Sequence, residues 1–274
     1  MATRRRGREM IDKQTTVENV IAQIHDGATL LIGGWGPARK PMAFLRALAK
    51  SPVKDLTIMS FAALDLDLLV GLGKVKKAIY GFTSFEGAPG AMVNFRRARQ
   101  EGALQAMELS EYMFIAGIKA AAERLPFYPT RSGLGTDILT MNPEIEVITA
   151  PYTGEKLVAV PALKPDIILI HVNVADYAGN ARIFGDCYLD RLFVRAGGKT
   201  FLSAERVVPT GQLAEDGRAM DILGPWVNGV VECPQGAAPG SCYPDYDVDA
   251  AKLAEYTWAA QDPENFSAWA KDNL

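Results

Sequence analysis

Two glutamates three residues apart, Glu108 and Glu111 in MELSEYM, are groups whose type and spacing suggest chemistry. A carboxylate held beside a reacting atom can take up a proton and return it. Glu111 follows Ser110 and suits the first turn of a helix, where negative charge meets the helix dipole. Glu108 ends an apolar run that reads as a buried strand, where a bare carboxylate is costly without a partner or a task. Glu108 is therefore the preferred acid–base group and Glu111 the second, with capping or ion-pair duty as the plain alternative for either.

A second candidate lies upstream in LIGGWGPARKP, where Gly33, Gly34 and Gly36 surround Trp35 and Arg39 and Lys40 follow. A glycine turn after the first strand of an α/β sheet points to ligand binding at the carboxyl ends of strands. Two nucleotide loops are excluded. The dinucleotide fingerprint lacks its third glycine, and no acid ends the second strand, MSFAAL. The Walker loop needs Gly-Lys-Ser/Thr, whereas Lys40 precedes Pro41. The bland alternative is a turn whose glycines supply positive φ. An indole between glycines favours a ligand site, with backbone amides approaching the ligand and Arg39 and Lys40 meeting its anionic part.

Arg131 and Ser132, in PTRSGLGTD, place a guanidinium in a loop, a geometry suited to a carboxylate or phosphate. The alternative is a turn built on Gly133 and Gly135. His171 and Asn173 follow DIILI at a strand end; Asn173 is taken as a substrate contact and His171 as a hydrogen-bonded core residue. With two histidines, and with Cys187, Cys233 and Cys242 odd in number and without CxxC spacing, no metal site and no disulfide are expected. No G-x-S-x-G elbow exists, which leaves a Ser-His-Asp hydrolase unsupported.

The elements that must position these groups alternate. TVENVIAQIHDG has helical spacing and stops at Gly27; ATLLIGG, DLTIMSF, KKAIYGF, IEVITAPY, KLVAVPAL and DIILIHVNV read as strands. SEYMFIAGIKAAAERL is the longest predicted helix, capped by Ser110, LPFYPTRSGLGTD a loop, GDCYLDRLFVRAGG a helix, and the tail from Asp247 two short helices. Strands apolar on both faces, alternating with helices, predict an α/β fold: a mostly parallel open sheet with helices on both faces. The 274 residues read as a single domain, 1–274, with a flexible basic arm at about 1–12. Net charge is −3, which argues against nucleic acid or anionic membrane as partners. No apolar run approaches the ~18 residues of a membrane span, and a cytoplasmic protein is expected.

Several stretches together, GGWGPARKPMAF, GKVKKAIYGF, GIKAAAERLPFYPTRSGLGTDI, VNVADYAGNARIFG and GSCYPDYDVD, resemble the alpha subunit of class I coenzyme A transferases, in the glutaconate branch. The likeness covers nearly the whole chain. The first half is also similar to the A subunit of the bacterial steroid ring-opening hydrolase, which shares the transferase fold and hydrolyses a carbon–carbon bond in a cyclic CoA thioester.

The resemblance implies a CoA-transferase/ribose-5-phosphate isomerase-like sheet and a beta (B) subunit partner. It also implies coenzyme A as acyl-CoA substrate, a small or steroid-derived carboxylic acid as the other substrate, and no tightly bound cofactor. In such transferases the thioester is attacked by a glutamate of the beta subunit, which then carries the CoA as a glutamyl thioester. This chain would then shape the pocket, with Glu108 matching a glutamate of both families and Glu111 one of the hydrolase. PTRSGLGTD, ADYAGNA and GSCYPDY favour the transferase, and ring-opening hydrolysis is the alternative. A non-catalytic effector-binding domain on a related sheet is a third, minor reading. One departure weakens the first: where transferases commonly read Gly-Ala-His-Pro-Thr-Ser-Cys, this chain has GAAPGSC, with Ala238 for the histidine and Gly240 for the threonine.

Overall fold

The computed structural model describes residues 11–85 and 90–274. The basic arm expected over 1–12 lies, as far as residue 10, outside the described residues. The first half of the chain runs α1 (Val17–Ile21), β1 (Thr29–Ile32), α2 (Met42–Lys50), β2 (Leu56–Ala62), α3 (Leu64–Gly71), β3 (Val75–Thr83), α4 (Val93–Gln100), β4 (Gln105–Glu108) and α5 (Glu111–Ala122). α1 is shorter than its sequence pattern, because after Ile21 the chain tightens into i→i+3 bonds, Gln23 N to Val20 O and Ile24 N to Ile21 O. α5 starts where the sequence places it: Ser110 Oγ accepts from Met113 N at 3.2 Å.

The second half runs β5 (Phe127–Thr130), α6 (Ile138–Met141), β6 (Glu146–Thr149), β7 (Lys156–Pro161), β8 (Ile167–Asp176), β9 (Ala181–Arg182), α7 (Asp190–Phe193), β10 (Lys199–Val208), β11 (Gly229–Glu232), α8 (Ala250–Ala260) and α9 (Pro263–Asn273). PFYPT, read as loop, becomes β5 because β7 offers it an antiparallel edge, with Tyr128 opposite Val160. The helix expected over GDCYLDRLFVRAGG shrinks to α7, which delivers a fully buried Asp190 to the centre of the molecule.

The main sheet has the order β11-β10-β8-β1-β2-β3-β4 with every neighbour parallel; β9 adds antiparallel to β8. All ten residues of β8 are buried, as a central strand covered on both faces requires. One face packs under α1–α4, α8 and α9, with Leu30, Phe44, Leu45 and Tyr256 in its core. The other packs under α5, α7 and the three-stranded sheet β5-β7-β6, around Leu31, Phe61, Phe114 and Phe193. This is the α/β architecture the sequence predicts. The carboxyl ends of the parallel strands gather the Gly33–Lys40 turn, His171, Glu205, the 233–246 segment and Glu108 along one edge of the sheet.

Candidate active site

The glycine turn is held from inside. Gly33 N donates to Leu169 O at 2.8 Å, Gly34 N to the Asp190 carboxylate at 2.9 Å, and Trp35 N to Ala38 O at 3.0 Å. Gly34 has φ +74, and a Cβ there would meet the Ala38 carbonyl at 2.3 Å; a Cβ on Gly33 would meet Asp190 and Ile170 at 2.8 Å. These glycines therefore exist for close packing and left-handed backbone. The expectation that the Gly33 and Gly34 amides approach a ligand is corrected, since each already has an internal acceptor. Gly36, at φ +48, faces open space where a Cβ would be.

The cations following the turn are corrected in the same way. Arg39 is 2% exposed; its Nη1 pairs with Asp190 at 2.6 Å and donates to the His171 carbonyl, and its Nη2 donates to the Asp186 carbonyl. Lys40 is 1% exposed, 3.2 Å from Asp65, and donates to Ser60 Oγ and Phe61 O. Desolvation lowers the Lys40 pKa, against the raising effect of Asp65. Two buried ion pairs thus anchor the turn to α7 and α3, and neither cation is left for a substrate anion. Asn173 is fully buried too: its amide nitrogen donates to Tyr243 O and Asp245, and its oxygen accepts from Phe184 N. It ties β8 to the 242–245 turn.

Trp35 emerges as the presented part of the turn. Its ring stacks on Phe61 (centroids 4.1 Å, 23° between planes) and beneath Tyr188 (5.8 Å, 18°), with Phe82 at 5.0 Å. Phe82 also lines a surface cleft of about 410 Å³ with Tyr80, Arg96, Arg99 and Glu108. Phe82 therefore touches both the aromatic stack and the cleft that holds Glu108, while Tyr80, the Glu108 partner, packs with the opposite core face. Glu108 corrects its own expectation: β4 is the edge strand of the sheet, and Glu108 is exposed there rather than buried. Its side chain accepts from the Tyr80 hydroxyl at 3.0 Å. Burial, reinforced by the Glu108 charge, pushes the Tyr80 phenol up to about 12, so it remains a donor.

Glu111 is exposed on the first turn of α5, whose backbone approaches β3 because Gly81 has no side chain; a Cβ there would lie 2.9 Å from Glu111 Cα. Ser132 Oγ meets Ser110 Oγ at 2.7 Å, fastening the loop after β5 to the start of α5. Arg131 is exposed and bound bidentately by Glu155, at 2.8 Å for the shorter contact. The structure thus links Trp35 and Glu108 through Phe82, sets Glu111 on α5 and Ser132 in the loop after β5 against Ser110, and engages Arg131 with a surface carboxylate.

Sequence reasoning missed Glu205. Its carboxylate accepts from His171 Nε2 (2.7 Å), the Tyr246 hydroxyl (2.7 Å) and the amides of Gln235 (2.7 Å) and Gly236 (3.2 Å). His171 Nδ1 meets Ser203 Oγ at 2.9 Å. Burial disfavours the charged form, yet these hydrogen bonds hold Glu205 below the ordinary carboxylate range. Desolvation outweighs Glu205 at His171 and lowers its pKa. Ligand atoms of His171, Glu205 and Cys242 lie within 4.8 Å of one another. Their capacity is already consumed, however, and burial pushes the Cys242 thiol up to about 12, away from the thiolate a metal requires. The group works instead as a clamp on the 233–246 segment. That segment braces the glycine turn: Arg39 N donates to Ser241 O and Ser241 N to Pro37 O. Gly240 is needed here, since a Cβ would lie 2.2 Å from Pro37 O, and a threonine cannot follow this path. A lone glutamate in KTFLSAERVV carries no spacing signal that reasoning from sequence could use.

No helix among the described residues is long and apolar enough to cross a membrane. A family model described as Coenzyme A transferase matches residues 14–232. The chain is 41% identical over 260 residues to the cholesterol ring-cleaving hydrolase IpdA subunit of Mycobacterium tuberculosis, covering 92% of this chain and 89% of that one. It is 31% identical over 281 residues to the A subunit of glutaconate CoA-transferase from Acidaminococcus fermentans, covering 96% and 88%. The crystal structure of that organism's glutaconate coenzyme A-transferase superposes with a TM-score of 0.89, covering 95% of this chain and 88% of that one at 29% identity. The AibA/AibB decarboxylase follows at 0.85, covering 96% and 98% at 27% identity. Relatives named as A subunits imply a B-subunit partner. With fold, strand-end site and sequence in agreement, this chain belongs to the coenzyme A transferase family, as the A subunit of an enzyme.

Proposed function

We propose that this chain is the A subunit of a hydrolase that opens a carbon ring in a CoA thioester, with Glu108 as its proton-transferring base. The observation that carries the reading is Glu108 itself: an exposed carboxylate at the carboxyl end of β4, oriented by the protonated Tyr80 and opening on a cleft that Phe82 links to Trp35. Greater identity to the ring-cleaving hydrolase than to the glutaconate transferase, 41% against 31%, supports the same choice. So does the GAAPGSC departure, with its obligatory Gly240.

In this reaction water adds across a ring carbon–carbon bond beside a carbonyl. The hydroxyl goes to the carbonyl carbon, that bond breaks, a carboxylate is released, and the other carbon takes a proton. Glu108 removes the water proton and returns it to the leaving carbon. The aromatic face of Trp35, backed by Phe61 and flanked by Tyr188, offers a flat apolar wall to a ring-bearing acyl group. CoA is a substrate part, no tightly held cofactor is involved, and the reaction takes place in the cytoplasm.

The second reading, CoA transfer between carboxylates through a glutamyl thioester on the B subunit, is supported by the likeness to the glutaconate transferase. One experiment separates them. The A–B assembly is given a ring-bearing CoA thioester with a ketone in the ring, in ¹⁸O-labelled water, and in parallel an acyl-CoA followed by borohydride. Hydrolysis is expected to place one labelled oxygen in the new carboxylate and to leave activity indifferent to borohydride. Acyl-CoA-dependent inactivation by borohydride, with CoA appearing on an added carboxylate, establishes the transferase instead.

A further inference from the structure

On the sheet face opposite the Trp35 stack, a cavity of about 390 Å³ opens between α2, α3, the 234–239 segment, α8 and α9. Its walls are mostly apolar, with Met42, Leu64, Leu68, Pro239, Tyr256 and Trp269 contributing and Gln235 and Asn273 among the polar residues. Set into them is Arg46, half-buried on α2. Its Nη1 donates to Ala238 O at 2.7 Å, and among the described residues no carboxylate lies within ion-pair distance of it. A guanidinium carries five N–H donors, so most of this group's capacity is unused at the edge of an apolar chamber. Lys252 and Glu255 also stand on the wall.

A half-open, mostly apolar volume in the range of small-molecule sites, with a guanidinium at its rim that has donors to spare, has the form of an amphipathic-anion site. The aromatic floor is rigid: Trp269 stacks on Phe266 (17° between planes) and meets Tyr256 edge-on, while the Tyr256 hydroxyl is held by Asp67 at 2.6 Å. Arg46 differs in this respect from Arg39, which a buried aspartate neutralises. An arginine left without a carboxylate beside a preformed cavity is matched by a ligand that brings one.

We infer that this cavity binds a small monocarboxylate with an aliphatic body, its carboxylate on Arg46 and its chain against Leu64, Leu68 and Trp269. The inference concerns a second site and does not depend on which reaction the enzyme catalyses.

Octanoate is the probe, titrated calorimetrically into the full-length chain in its A–B assembly, with octanamide as its uncharged counterpart. Saturable binding of octanoate is expected, with octanamide at least tenfold weaker, as loss of a hydrogen bond to a charged group implies. Arg46→Met is expected to weaken octanoate at least tenfold and Arg46→Lys to retain part of the affinity. Trp269→Phe is expected to keep the calorimetric signal while removing the octanoate-induced change in tryptophan fluorescence. Equal affinity for octanoate and octanamide, unchanged octanoate binding in Arg46→Met, or no saturable binding by the wild-type protein overturns the inference. The first comparison uses unaltered protein, so it decides the matter even if a variant folds poorly.

Discussion

Glu205 and Glu108 are both glutamates at the carboxyl end of a strand in the same sheet, yet their surroundings are opposite. Glu205 is 8% exposed and accepts four hydrogen bonds; Glu108 is exposed and its side chain accepts one, from Tyr80. A nearly buried carboxylate that accepts four hydrogen bonds cannot take a proton from a substrate without loosening its own support. One with spare acceptor capacity beside a cleft can. The difference teaches that burial among chemistry-bearing residue types marks a scaffold, and that the residue to test for turnover is the less satisfied one.

The largest expected effect breaks the scaffold side of that contrast. Glu205→Ala leaves His171, the Tyr246 hydroxyl and two amides without their acceptor, and removing one partner from such a buried group costs about 3–5 kcal/mol. Urea unfolding of the variant is expected to show a midpoint lowered accordingly, with the slope unchanged. A loss under about 1 kcal/mol would mean that water replaces the carboxylate, and the clamp would then not be what holds the 233–246 segment on the glycine turn.

Much of this contrast was hidden in the sequence. The alternation of apolar runs pointed to the parallel sheet and its helical covers, because strands buried on both faces leave an unmistakable pattern, as DIILIHVNV does in β8. Ser110 announced α5 by a local capping rule. Lys40, Arg39 and Asn173 misled because solvent exposure is a tertiary property: Asp65 and Asp190, which pair with Lys40 and Arg39, stand 25 and more residues from them, and Asn173 donates to Asp245, 72 residues on; none carries a local mark. Glu108 was expected on a buried strand, and the structure exposes it. Its strand looked central by composition, and only the strand order makes it an edge. Gly240 was seen as a departure without its cause, the approach of Pro37 from more than two hundred residues upstream.

A third acid sharpens the comparison from between the two extremes. Asp67 is fully buried, accepts from Tyr256, Asn94 and the Phe95 amide, and is pushed up to about 6, chiefly by desolvation. Its folded value stands above its ordinary one. The proton-linked stability is therefore complete below about pH 4 and lost as pH rises through 6, an amount of about 3 kcal/mol at 1.36 kcal/mol per pH unit. His171, held low, acts in the opposite sense: its contribution is present above its ordinary value near 6.5 and lost as pH falls. Comparing wild type with Asp67→Asn by urea unfolding between pH 4 and 7 isolates the first effect. The stability difference, wild type minus variant, is expected to fall as pH rises across this window; a constant difference shows that Asp67 titrates below it.

The catalytic side of the contrast is tested by Glu108→Gln. The exposed carboxylate contributes little to folding, so the unfolding midpoint is expected to stay within about 0.5 kcal/mol of wild type. Turnover of the A–B assembly is expected to fall at least about tenfold, the loss typical of a proton-transfer group. Glu111→Gln, at the first turn of α5, is expected to change turnover less and stability by a few tenths of a kcal/mol through the helix dipole. Normal turnover in Glu108→Gln with intact assembly would remove the proton-transfer role and leave the aromatic wall as this chain's contribution to chemistry.

The smallest effect belongs to Arg131, and it tests the contrast at the surface. Its pair with Glu155 is bidentate, but the arginine side chain is 75% exposed, and water and salt screen such a pair to about 0–1 kcal/mol. A substrate carboxylate would have to displace Glu155, exchanging one screened ion pair for another. Arg131→Ala is therefore expected to leave stability within about 1 kcal/mol and to leave the KM of the assembled enzyme near wild type. A several-fold rise in KM with unchanged stability would show that Glu155 yields to substrate in the assembled enzyme. Arg131 would then rejoin Glu108 among residues defined by what they can still accept or donate. The Ser110–Ser132 contact, which holds the loop against the start of α5, sets the position from which that exchange would take place.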